Sequence, residues 1–99
     1  NAVEAQLQGA TVDGISTALG LEITVRDGRV QQSNFHDYPL AKIAAFPRRF
    51  ETHILRYNDV PTGVGEIGLP SAAPALTNAI FAATGKRIRN LPIGDQLNT

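Results

Sequence analysis

The sequence predicts an α+β fold, ordered as helix, antiparallel hairpin, loop, third strand and C-terminal helix. Three stretches carry that prediction. Residues 2–19 repeat apolar side chains at helical spacing. "LEITVRDGRV" alternates apolar and polar residues up to an Asp-Gly pair. "SAAPALTNAIFAATGKR" sets a proline near the start of an alanine-rich run and a glycine just past its end.

In the opening helix, Asn1 fits the N-cap, with Glu4 three residues on as in a capping box. Val3, Leu7 and Ala10 form one stripe, and Val12, Ile15 and Leu19 another, with Gly9 and Gly14 between them. Two stripes imply a helix covered on more than one side. Gly20 closes it. Leu21, Ile23 and Val25 then alternate with Glu22, Thr24 and Arg26. Asp27-Gly28 predicts a type I′ turn with both residues at φ > 0, and residues 29–34 the return strand.

Pro39 and Pro47 bracket residues 40–46, which read as one irregular helical turn. Phe50, Thr52, Ile54 and Arg56 share one face of the predicted third strand, residues 50–57. Residues 58–63 read as a loop. Ser71 fits the N-cap of a helix running to about Thr84, with Pro74 in the first turn, where its missing N–H costs little. Ala72, Leu76, Ile80 and Ala83 make its core stripe. Gly85 fits the C′ position, followed by Lys86 and Arg87 at the negative helix end. The tail reads as extended, then frayed.

At 99 residues the chain suffices for a single domain, residues 1–99, with a modest core. Nine Lys and Arg balance nine Asp and Glu, leaving no electrostatic footprint for nucleic acid or an anionic membrane. The absence of cysteine removes disulfides and thiolate metal sites. No apolar run approaches the roughly 20 residues of a membrane span. The sequence lacks methionine and opens directly in a helical pattern, so it reads as a piece of a longer chain.

Gly63-Val64-Gly65-Glu66-Ile67-Gly68 matches the dinucleotide fingerprint letter for letter. That fingerprint also needs a buried strand leading into it and an acidic residue about 20 positions later. Pro61 and a polar loop precede it here, and Asp95 is the next acidic residue. His36 and His53 lack metal-ligand spacing, and His53 reads as a packed or half-exposed strand residue. Asp37 reads as turn chemistry, Arg48-Arg49 as solvated, and Ser71 as a cap rather than a nucleophile.

Glu66 stands alone among glycines and apolar residues. Glycines on both sides let the backbone approach a ligand closely. Apolar neighbours would desolvate the carboxylate, while the following helix N-terminus would favour its charge. Opposed effects of this kind suit a general base. On composition alone, a surface glutamate on a flexible loop fits equally well.

"GVGEIGLPSAAPALTNAIFAATGKRIRNLPI" closely resembles the C-terminal end of the molybdopterin-binding large subunit of molybdenum hydroxylases, the xanthine dehydrogenase and aldehyde oxidoreductase family. "VQQSNFHDYPL" and "VEAQLQGATVDGIS" are similar to further segments in the same order, most like the isoquinoline 1-oxidoreductase beta subunits. The resemblance implies that Glu66 is the catalytic base, that Gln6, in the pattern Q-x-x-G-A, reaches the cofactor, and that Gly65 lies against it. It implies a parent enzyme that hydroxylates an aldehyde or N-heteroaromatic substrate with water as oxygen source. The implied cofactor is molybdenum–molybdopterin cytosine dinucleotide, with electrons leaving through [2Fe-2S] clusters on a partner subunit. The implied partners are the rest of the large subunit, the [2Fe-2S] small subunit and a small-molecule substrate. By itself the chain is expected to bind no molybdenum, to be inactive, and to self-associate or need a partner chain. The alternative is a free-standing, non-catalytic protein-interaction domain that reuses this unit.

Overall fold

The computed structural model describes residues 1–60 and 62–98. Two helices and a short hairpin appear in the order α1 (Ala2–Gly20), β1 (Val25–Arg26), β2 (Arg29–Val30), a 3₁₀ turn (Ile43–Ala45) and α2 (Leu69–Thr84). The class is α+β, as the sequence predicts.

Local chemistry sets the ends of α1. The Asn1 side chain accepts the Glu4 N–H at 3.0 Å, and the Glu4 carboxylate reaches back to the Asn1 amino group at 3.4 Å, completing the capping box. At the other end, Ile93 N–H donates to the Ala18 carbonyl at 2.8 Å and Gly94 N–H to that of Leu19 at 2.9 Å. These bonds satisfy carbonyls that a helix leaves open. The tail is therefore docked rather than frayed, and Ile93 is only 1% exposed. Thr99, the last residue of the sequence, lies outside the described residues.

Asp27 (φ 51°) and Gly28 (φ 73°) make the hairpin turn at positive φ, as expected of type I′. Val25 pairs with Val30 and Arg26 with Arg29. The ladder is shorter than the predicted return strand. Beyond it, the Gln32 side chain accepts the Thr24 N–H at 2.8 Å and substitutes for a backbone partner. Asp37 takes the backbone N–H groups of Ser33 and Asn34, closing the turn that follows the hairpin.

The third strand is a correction. Residues 50–57 pair with no other strand among the described residues. Alternation makes a strand only where a partner edge supplies hydrogen bonds, and the single sheet here is two-stranded. The predicted helical turn survives as Ile43–Ala45. The predicted loop at 58–63 includes Pro61, which lies outside the described residues.

The start of α2 is a second correction. Gly68 is the N-cap, not Ser71, whose hydroxyl instead donates to the Gly68 carbonyl at 3.2 Å. Pro70 occupies the first turn and Pro74 lies inside the helix. The far end matches the expectation: Gly85 adopts the left-handed conformation (φ 73°) and its N–H bonds the Phe81 carbonyl.

Packing centres on the α1–α2 seam. A Cβ placed on Gly14 would fall 2.6 Å from the Ala72 Cβ, and one on Gly68 would fall 2.9 Å from the Ala10 Cβ. Small residues thus let the two backbones approach closely. Ala18, Ala72, Ile88 and Ile93 form the buried apolar core, with Ser16 accepting the Ala41 N–H at 2.9 Å. The rest is open. The radius of gyration is 16.2 Å, against about 13 Å for a compact chain of this length. The accessible surface is 8054 Å², against about 5,500 Å² for a compact protein of this mass.

Candidate functional site

An open cleft of about 460 Å³ lies between the first half of α1 and the N-terminus of α2. Gln6, Gly9, Ala10 and Asp13 form one wall, spaced to share a helix face. Gly65, Glu66, Leu69 and Pro70 form the other. The cleft thus unites all three residues singled out from the sequence: Gln6, Gly65 and Glu66. They meet because the Gly14 and Gly68 contacts draw the start of α2 onto α1.

Glu66 sits on the turn entering α2, where its carbonyl accepts the Leu69 N–H at 3.3 Å. Its side chain is exposed, so the neighbours in this chain do not supply the desolvation expected from the sequence. Among the described residues its carboxylate has no hydrogen-bond or ion-pair partner. Opposite it, the Gln6 amide nitrogen lies 3.8 Å from where a Gly65 Cβ would stand. Gly9 faces the same space, and a Cβ there would meet nothing within 4 Å. Gly9 and Gly65 therefore leave both walls bare.

One polar contributor was not singled out from the sequence. Asp13 follows Gln6 by seven residues, on the same helical face as Gln6, Gly9 and Ala10 of the Q-x-x-G-A pattern. That periodicity, applied from Gln6 onward, would have found it. The remaining candidates lie elsewhere. His36 is within 3.5 Å of Asp37, and His53 within 3.8 Å of Glu51. Both are exposed, so His53 is neither packed nor half-exposed as expected. Arg49 pairs with Glu51 at the surface. Asp37 is held below the ordinary carboxylate range, chiefly by the Asn34 N–H and then by the Ser33 N–H. No group of three or more metal-ligating side chains forms among the described residues, and no helix there is long and apolar enough to cross a membrane.

No family model matches the chain. Individual proteins do. The chain is 36% identical over 91 residues to the beta subunit of isoquinoline 1-oxidoreductase from Brevundimonas diminuta, covering 92% of this chain and 12% of that protein. It is 31% identical over 91 residues to a nicotinate dehydrogenase subunit of Pseudomonas putida, covering 92% of this chain and 8% of that protein. It is 30% identical over 95 residues to the aldehyde oxidoreductase molybdenum-binding subunit PaoC of Escherichia coli, covering 89% of this chain and 13% of that protein. The chain thus spans about an eighth or less of these relatives. Similarity along nine-tenths of its length is to one segment of each: the chain resembles part of the molybdenum-binding subunits of the xanthine dehydrogenase and aldehyde oxidoreductase family.

Proposed function

We propose that this chain is the C-terminal part of a molybdenum hydroxylase large subunit, and that it carries the catalytic base, Glu66, together with the amide of Gln6 and the bare backbone of Gly65 for holding the cofactor. The observation that carries the proposal is the single cleft into which α1 and α2 bring these residues. The proposed parent reaction is oxidative hydroxylation of an aldehyde or N-heteroaromatic substrate, with water as the oxygen source.

The lining has the chemistry of an organic metal cofactor's hydrogen-bonding end. It offers one carboxamide, two carboxylates and two glycines, with no basic side chain for phosphates and no thiolate or imidazole for a metal. A molybdopterin cytosine dinucleotide would therefore rest on Gln6, Gly9 and Gly65 here. Its phosphates would be held by the remainder of the large subunit. When bound, the cofactor supplies the two-electron oxidation, and [2Fe-2S] clusters on a partner subunit carry the electrons away.

The chain's own residues do the rest. The Gln6 amide donates and accepts hydrogen bonds and fixes the cofactor's edge. The Glu66 carboxylate accepts a proton at Oε from the water-derived oxygen as it attacks the substrate carbon. A base on a loop with little bulk can approach the reacting atoms, and the α1–α2 seam keeps that loop in register. The remainder of the large subunit covers the roughly 2,500 Å² by which the surface exceeds that of a compact protein of this mass, an area in the range of permanent interfaces. That cover also desolvates Glu66.

Glu66→Gln in the full enzyme keeps size and hydrogen-bonding reach but removes basicity. It should lower kcat and kcat/KM by about 10²–10⁴-fold at unchanged molybdenum content. Near-normal turnover at full molybdenum occupancy would refute the assignment. Gln6→Ala should act on binding, lowering the molybdenum content of the enzyme before it alters turnover per molybdenum. A variant with full occupancy and slowed chemistry would reassign Gln6 to the reaction.

A further inference from the structure

We propose that Gly68, facing Ala10, is a positioning residue whose missing side chain sets where the Glu66 loop lies against the Gln6 face of α1; this rests on the reading of Glu66 as the base. Gly68 is buried, and its φ of −78° and ψ of −26° suit any L residue. Conformation therefore does not call for glycine at this position, but space does. A Cβ there would fall 2.9 Å from the Ala10 Cβ and 3.5 Å from the Leu7 Cδ2 and carbonyl oxygen. Carbon atoms in a close-packed interior do not approach to 2.9 Å, so the start of α2 would back away from α1.

Glu66 moves with that end of the helix. It lies two residues before Gly68, and its carbonyl is bonded to the Leu69 N–H. A shift of α2 therefore carries the carboxylate away from Gln6. Misplacement by about 1 Å can cost on the order of 10²-fold in rate even when no reacting group is altered.

The contact is also separable from the rest of the seam. At Gly68 the tight neighbour is one methyl group, Ala10 Cβ, while the Leu7 contacts are ordinary van der Waals distances. Deleting that methyl makes room. At Gly14 a Cβ would meet the Leu69 carbonyl oxygen at 2.9 Å as well as the Ala72 Cβ, and no side-chain change removes a backbone atom.

The test compares Gly68→Ala with Gly68→Ala/Ala10→Gly in the full-length large subunit assembled with its partners. Gly68→Ala should lower kcat by about 10–10²-fold with molybdenum content retained. Amide hydrogen exchange across residues 62–69 should accelerate, a readout that needs no turnover. The double variant should restore the slow exchange across residues 62–69, because the methyl that Gly68→Ala strikes is gone. Adding Gly68→Ala to Glu66→Gln should slow the enzyme no further, because a misplaced base and an absent one lose the same contribution. Unchanged exchange in Gly68→Ala, or a double variant that exchanges as fast as the single, would overturn the proposal. If Gly68→Ala does not accumulate as folded protein, recovery of folded enzyme in the double variant supports the fit, and its absence overturns it. Exchange that rises and recovers while kcat stays constant overturns the positioning role. If Glu66→Gln is also active in that case, the fault lies with the reading of Glu66 as the base.

Discussion

Gly14 and Gly68 lie in the seam between the helices, whereas Gly9 and Gly65 lie at the mouth of the cleft. In the seam, an added methyl would strike a neighbour at 2.6–2.9 Å. At the mouth, an added methyl meets nothing at Gly9 and only the Gln6 amide, at 3.8 Å, at Gly65. None of the four has the positive φ that favours glycine. The seam glycines are thus explained by contacts inside this chain. The mouth glycines are not, and Gly9 stands in mid-helix, where glycine costs about 1 kcal/mol relative to alanine. A bare surface kept at that cost is what a ligand's close approach would require.

Gly14→Ala is the largest perturbation within this comparison. Overpacking against both a methyl and a carbonyl should destabilise the protein by about 1–3 kcal/mol. Ala72→Gly should not restore the loss, because the carbonyl remains. Chemical denaturation of the full-length protein measures both, and full recovery would show that the backbone approach is not the limiting contact.

Gly9→Ala should have the opposite sign. Removing a mid-helix glycine should stabilise cofactor-free protein by about 0.5–1 kcal/mol. The same methyl should lower molybdenum content by intruding on the cleft. A stabilised variant with full molybdenum content would erase the distinction between seam and mouth.

The smallest effect lies outside both regions and serves as their control. Asp37 holds its turn through backbone N–H groups that favour the charged carboxylate. Its pKa is lowered on folding, so its contribution is present above the ordinary value of 3.8 and fades as pH falls below it. The stability difference between the native chain and Asp37→Asn should therefore narrow in acid while molybdenum content stays unchanged at neutral pH. A difference that widened in acid would contradict the sign.

Features made by neighbouring residues were legible in the sequence. The Asn1–Glu4 box, the Asp27-Gly28 turn and the Gly85 cap each depend on chemistry within a few positions. Features that need a distant partner were not. The alternation at residues 50–57 could not reveal that no strand would pair with it. Ser71 has the residue type of a cap, but the helix begins three residues earlier at Gly68, where α2 meets Ala10 of another element. Gln6 and Glu66 are separated by most of the chain, and only the family resemblance implied a shared role for them. The helical spacing of Asp13 after Gln6 was a local signal that could have extended the site.

The bonds from Ile93 and Gly94 to the end of α1 also constrain the order in which the protein can be made. The carbonyls of Ala18 and Leu19 wait for partners roughly 75 residues downstream, about 4–15 s of synthesis at typical ribosome speeds. Until those residues emerge, α1 has an unfinished end, and the docking surface for the tail is open to water. A ribosome stalled inside α2 would therefore hold a nascent helix whose end carbonyls are bonded to water and whose apolar stripes are uncovered. The Ile93 and Gly94 amides, which donate to those carbonyls, would acquire hydrogen-exchange protection only when that segment clears the exit tunnel.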